Sequence, residues 1–355
     1  MKLIRLNSFL YLFCILSVFA SCVQKPDSSV EDWDRTFINT KKLISEALDR
    51  ELILGRPFLI QYVDSSLLIY DDIGDSLFLL VDLKENDRVY RFGQKGEGNN
   101  EFLQVFAFCN MKSDSILGVY DAYKHELREI NLDKVKRGEM NFPVVFKDTL
   151  SSIKLSPTKY DAYLGLGFYE SNMLSLTDNS IGSKFFFEYP YKDSREKAIS
   201  NRLRGMAYQG TLCSNRSLDK FLYAVCSAPI FMLFSVNKDG IEKTYELIGG
   251  YPNYVTEETG EYRSAPMSAD NKMSFTMAYA TDNYIYLLYS GKNFRDAGMD
   301  AFKANVIYQL SWNGKPINKF ETDYPLTNFC VSDNDDVLYA LADRGEVELV
   351  QYTLK

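Results

Sequence analysis

A chain of 355 residues with 46% hydrophobic side chains can bury a large core, and a formal net charge of −8 with no Lys/Arg block argues against an electrostatic nucleic-acid binder. Its single histidine, His125, rules out His-rich zinc sites and leaves one candidate base for a Ser-His-Asp or Cys-His arrangement. That histidine stands in the polar stretch Tyr123-Lys-His-Glu-Leu127, which reads as a solvated turn.

At the start of the chain, Lys2 and Arg5 precede an apolar run from Phe9 to Ala20 that ends on small residues before Cys22. This is the order of a secretory signal peptide, and at about a dozen residues the run is shorter than the roughly 20 a spanning helix needs. Residues 1–21 are expected to be removed, with Cys22 as the lipid attachment site in Phe19-Ala20-Ser21-Cys22. The mature chain then holds 38 basic and 48 acidic residues. Polar residues follow Cys22, so 22–50 reads as a tether, with helical character over 34–50, and 51–355 as the folded domain.

The domain carries an internal repeat. An acidic turn followed by an aromatic and β-branched run begins at Asp64, Asp114, Asp219, Asp282 and Asp335, with a degenerate copy at Glu170-Ser-Asn-Met-Leu-Ser-Leu176; the spacings are 50, 56, 49, 63 and 53 residues. Two more strands follow each run as a hairpin. The clearest are Ile230–Val236 with the turn Asn237-Lys-Asp-Gly240, and Val306–Trp312 with Asn313-Gly314, the dipeptide favoured where both turn residues need positive φ. Four antiparallel strands repeated six times predict an all-β, six-bladed β-propeller, whereas paired β-sandwiches would have no common period. A second helical stretch is expected at 194–203. The chain stops at Lys355 after the third strand of the sixth unit, so an N-terminal strand must close the ring, and Glu51-Leu-Ile-Leu54 is the expected donor.

The lipobox, the six units and the linker Arg91-Phe-Gly-Gln-Lys-Gly-Glu-Gly-Asn-Asn-Glu-Phe102 together resemble the TolB-like six-bladed propeller lipoproteins of Gram-negative bacteria; the linker is similar to that of NHL-like propellers, with Asn99-Asn100 in place of Pro-Gly. Ala207-Tyr-Gln-Gly210 also resembles that family. The resemblance implies a fold and an outer-membrane location, facing the periplasm or the exterior, more than an activity.

Gly93 to Gly98 is not read as a phosphate loop, because strands rather than a helix flank it. Asp333-Asn-Asp-Asp336 offers oxygens suited to calcium but lacks the Gly and Glu of an EF-hand loop. Cys213 and Cys226 would face each other across a two-residue turn at Asp219-Lys220, and a turn longer by two would put them out of register. No catalytic set, resident metal or cofactor is assigned. The leading expectation is therefore a membrane-anchored binding or scaffold module for a glycan, a peptide or another envelope protein. The alternative is a hydrolase or lyase using carboxylates and a divalent metal in the tunnel. Long linkers between blades all cross one face, which predicts a binding surface there of Lys95, Glu97, Arg202, Arg204, Tyr251, Tyr254, Tyr262 and Arg263.

Overall fold

The computed structural model describes residues 29–48, 52–84, 88–178, 182–259 and 262–355. The signal peptide and Cys22 lie outside them.

Six antiparallel sheets follow one another along the chain. The first blade is Pro57–Val63, Ser66–Ile73, Ser76–Asp82 and Val89–Phe92; the second is Val105–Asn110, Ile116–Asp121, Glu126–Asn131 and Val144–Lys147. The third is Lys154–Pro157, Ala162–Leu166, Leu174–Asp178 and Gly182–Phe186; the fourth is Gly210–Ser214, Lys220–Val225, Ile230–Val236 and Ile241–Ile248. In the fifth, Phe275–Ala280, Tyr284–Tyr289 and Ala304–Ser311 are joined by the first part of Pro316–Val331. That strand then continues as the inner strand of the sixth blade, beside Val337–Asp343 and Val347–Thr353. Second and third strands are apolar along most of their length because both faces of each blade press on a neighbour. Leu67, Leu68, Ile69, Leu79, Leu80 and Val81 all have no exposed surface. Packed clusters fill the blade interfaces: Phe78, Phe102 and Val119 join the first and second blades, and Leu164, Phe221 and Tyr223 the third and fourth.

The third unit is phased differently from its expected copy at Glu170. Its second strand is Ala162–Leu166, entered through Asp161 at φ +56°, as Asp335 enters its strand at φ +59°. Leu174–Asp178 is the third strand. The two look alike in sequence because both are sandwiched between blades.

The ring is closed by an N-terminal strand, but not by the expected one. Glu51 is outside the described residues, and Leu52–Leu54 form no strand; Leu52 and Leu54 pack on the core in the passage into the first blade. The missing strand is β2 (Glu46–Ala47), antiparallel to the last strand with Glu46 opposite Gln351 and Ala47 opposite Val350. Just before it, β1 (Thr40–Leu43) runs parallel to the outer strand of the fifth blade, Thr40 opposite Lys319 and Leu43 opposite Thr322. In place of a helix over 34–50 there is only α1 (Val30–Asp34). Residues 30–48, expected as tether, are thus packed on the ring. Trp33, 4% exposed, wedges between the fourth and fifth blades against Phe37, Phe231, Phe275 and Tyr308. Asp34 Oδ1 accepts from Tyr308 Oη (2.6 Å) and Lys319 Nζ (2.7 Å). The stretch at 194–203 is two short helices, Ser194–Lys197 and Asn201–Ala207.

Cys213 lies opposite Leu222, not Cys226, because the turn is lengthened: Asn215 Oδ1 accepts from the amides of Asp219 (3.1 Å) and Lys220 (3.0 Å). Both thiols are free, and burial pushes each up to about 12.

Trp33→Ala removes a wedge whose neighbours cannot all collapse into the gap. The expected cost is about 3–5 kcal/mol, read from urea unfolding; a loss under about 1 kcal/mol would mean that the segment merely lies on the surface.

Candidate functional site

Each inner strand leaves the face crossed by the linkers and runs along the ring axis. The six inner strands therefore line a tunnel. Lys154 is the one charged residue they contain, the others contributing apolar, hydroxyl, amide and thiol groups.

On the linker face the tunnel opens as a funnel of about 580 Å³. Its wall includes Phe58, Phe106, Met267, Met273 and Met277, with Gln104, Gln209 and Asn328 as polar points. Below it lies a chamber of about 70 Å³. Leu59, Phe106, Lys154, Thr211 and Met277 border both spaces and form a collar between them. Lys154 Nζ donates to the Phe106 carbonyl, and among the described residues no carboxylate pairs with it. Its partly accessible side chain borders these two spaces, and burial pulls its pKa down to about 8.

The floor of the chamber is a neutral layer. Gln61 Nε2 donates to Asn110 Oδ1 and Tyr279 Oη, both at 3.2 Å, and Asn110 Nδ2 donates to the Ser214 carbonyl (3.1 Å). Beyond it, Arg216 stands at the opposite mouth, its Nε and Nη2 on Asp114 Oδ1 (3.2 and 3.0 Å). Asp333 nearby is raised above the usual carboxylate range by burial, with Asp114, Asp282 and Asp64 acting in the same sense and Arg216 against it. Among the described residues no three His, Cys, Asp or Glu side chains gather as a metal ion needs, and the chamber walls offer an ammonium and neutral groups, a donor set that does not fit a tunnel metal. Asp335 is occupied by the fifth blade, accepting from Thr281 Oγ1 (2.7 Å), Tyr286 Oη (2.8 Å) and Asn283 Nδ2 (2.8 Å).

All eight residues expected on the linker face lie on linkers that cross it, yet none lines the funnel. Arg202 and Arg263 converge on Glu170 (3.6 and 3.9 Å), and Arg263 also pairs with Glu258 (2.8 Å); neighbouring Tyr262 is 63% exposed. Arg204 is buried, donating to the Tyr189 carbonyl (2.8 Å) and Glu188 (3.0 Å) under the Tyr191 ring. Tyr254 packs on Tyr208, whose hydroxyl donates to the buried Glu196 (2.8 Å). Burial first, then Glu196, raise the Tyr251 and Tyr254 hydroxyls. Lys95 and Glu97 are exposed on a different linker. There the glycines serve close packing: a Cβ at Gly96 would fall 2.1 Å from Glu101 Oε2, which accepts from the Gly98 amide (2.8 Å), while Lys124 Nζ ties the carbonyls of Glu97, Gly98 and Glu101. His125 occupies the turn between the second and third strands of its blade, at φ +53°.

The funnel residues, and Lys154 above all, were not singled out from sequence. The signal was present in Lys154-Leu-Ser-Pro157, but it acquires meaning only once the inner strands are known.

Six four-stranded blades around an axial funnel define a β-propeller. The chain belongs to the TolB-like 6-blade propeller-like family, which matches residues 36–334. Similar solved structures include a protein of Bacteroides fragilis NCTC 9343 classed as exported (11% identity, 88% of this chain and 98% of that one, TM-score 0.51) and a DUF4221 family member from Bacteroides vulgatus ATCC 8482 (13%, 88% and 96%, TM-score 0.52). At these identities the likeness shows the fold. No curated protein matches the sequence. Among the described residues no helix is long and apolar enough to cross a membrane.

A folded lysine at about 8 against 10.5 unfolded binds its proton less tightly than the unfolded chain does. Its burial therefore opposes folding in full below about pH 8 and ceases to do so above about 10.5. Lys154→Met should melt higher than wild type at pH 7, and the gap should narrow as pH rises through that window. A gap independent of pH would show that the amine is solvated.

Proposed function

We propose that this protein is a lipid-anchored envelope module that binds a small organic ligand in its axial funnel. The observation that carries the reading is the placement of the only charge on six inner strands at the collar of an otherwise apolar, methionine-rich opening. Few polar groups in an apolar concavity are what small-molecule sites present, and methionine walls adapt to varied shapes. The anchor is supported by the n-region, h-region and Cys22, and export by a protein of the same fold from Bacteroides fragilis that is described as exported. On the linker face, Tyr262 and Arg263, with half-buried Arg202 beside them, are the cationic and aromatic members that an envelope protein or glycan would meet first.

Two experiments test the proposal. Cys22→Ser should release the protein from membranes, and the mature wild type should carry lipid on residue 22; an unmodified mature N-terminus elsewhere would refute the anchor. Separately, the protein is incubated with a small-molecule extract of envelopes, re-isolated, and its cargo identified by mass spectrometry. Thr211→Trp, which fills the collar, should lose that cargo with little change in melting temperature. Cargo retained at wild-type levels by a folded Thr211→Trp variant, or no cargo on wild type, would overturn the funnel as the site.

A further inference from the structure

We propose that the funnel takes an amphiphilic carboxylate, its head paired with Lys154 in the collar and its apolar body against Phe58, Phe106, Met267, Met273 and Met277. The inference rests on reading the funnel as a ligand site and names the class of ligand.

Charge is the first argument. An ammonium has three donors, and the protein supplies Lys154 with one acceptor, the Phe106 carbonyl, and no counter-ion among the described residues. A desolvated cation of this kind is costly alone and is relieved by an anion brought to it. One ammonium balances one negative charge, which selects a monoanion over a phosphate dianion.

Size is the second. The chamber under the collar, about 70 Å³ against about 580 Å³ for the funnel, is the smaller of the two spaces, so it suits a ligand's compact head and the funnel its body. Tyr279 lines that chamber. Its hydroxyl accepts from Gln61 Nε2 (3.2 Å), and its own hydrogen has no acceptor among the described residues, so it can donate to the second carboxylate oxygen. The third argument is the wall above the collar, where thioethers and aromatic rings suit a hydrocarbon body better than a polar one.

Decanoate serves as the probe and decanamide as its neutral counterpart, each titrated calorimetrically into the full mature chain carrying Cys22→Ser, between about pH 6.5 and 9.5. Decanoate should bind at least about tenfold more tightly than decanamide near pH 7. Because the anion binds the protonated amine, its affinity should fall above about pH 8, approaching tenfold per unit, while that of decanamide stays level. Lys154→Met should bring decanoate down to the level of decanamide and abolish the pH dependence; unchanged decanamide binding by the variant shows that its funnel is intact. Decanoate binding no better than decanamide, or keeping its affinity and pH profile in Lys154→Met, would overturn the carboxylate while leaving the funnel reading standing, provided Thr211→Trp blocks decanamide. Binding of neither probe overturns this inference alone, since the extract experiment judges the funnel separately.

Discussion

A ring of sheets holds its axis open only if its two ends meet, and here they meet through the pairing of two residues, Glu46–Ala47, with the last strand. The sixth blade is thereby assembled from opposite ends of the chain. Without that pairing, the interface uniting the fifth, sixth and first blades, where Leu67, Leu79, Phe320, Phe329 and Leu341 are packed, would lose its far wall. The tunnel is a by-product of the closure. Six inner strands pressed toward one axis leave a bore whose own strands carry one charge, Lys154, with Arg216 and its carboxylates at the far mouth.

Buried carboxylates fasten the passages into the first three blades. Asp121 accepts from the amides of Leu103 (2.6 Å), Gln104 (3.3 Å), Tyr123 and Lys124 (both 3.1 Å), pinning the linker that enters its own blade. Asp71 does the same for Gly55 (2.8 Å), and Asp148 holds Tyr120 Oη (2.8 Å) and the Ser152 amide (2.6 Å) between the second and third blades. Asp121, with four amide donors, is satisfied by the backbone, while Asp71 also takes Arg91 Nη1 (3.2 Å) as a counter-ion. That accounts for an acidic protein in which several of the carboxylates are internal fasteners rather than surface charge.

What could be read from the sequence follows the same physics. Second strands were legible because burial on both faces leaves long apolar runs behind an acidic turn, and Asn313-Gly314 was legible because its geometry demands those residues, with Gly314 at φ +77°. Where two strands of one blade share that character, as Ala162–Leu166 and Leu174–Asp178 do, phase was lost. The closing strand was misplaced because Glu46–Ala47 has no strand propensity of its own and is extended by the edge it completes, whereas Leu52 and Leu54 are apolar because they pack on the core. Of the linker residues, Tyr254 packs on Tyr208 beside Glu196, Arg202 and Arg263 turn to Glu170 and Arg204 to Glu188, choices made by tertiary contacts, while Lys95 and Glu97 are exposed. Lys154 could be recognised only after six strands were known to share a bore.

The 16-residue strand Pro316–Val331, which belongs to two blades at once, gives the ring an uneven mechanical character. Elsewhere one blade is joined to the next by a linker that belongs to neither sheet. Between the fifth and sixth one strand serves both sheets, its pairing passing from Glu321 to Leu326 over an irregular step, and β1 and β2 lie along the outer edges of both. Tension arriving through the N-terminal segment would meet the Trp33 wedge first. It would then load the parallel ladder of Thr40–Leu43 in shear, where all its hydrogen bonds bear the force together. The arc best able to carry a pull is therefore the one to which the N-terminal segment is fastened, and the blade that supplies Lys154 lies off that path.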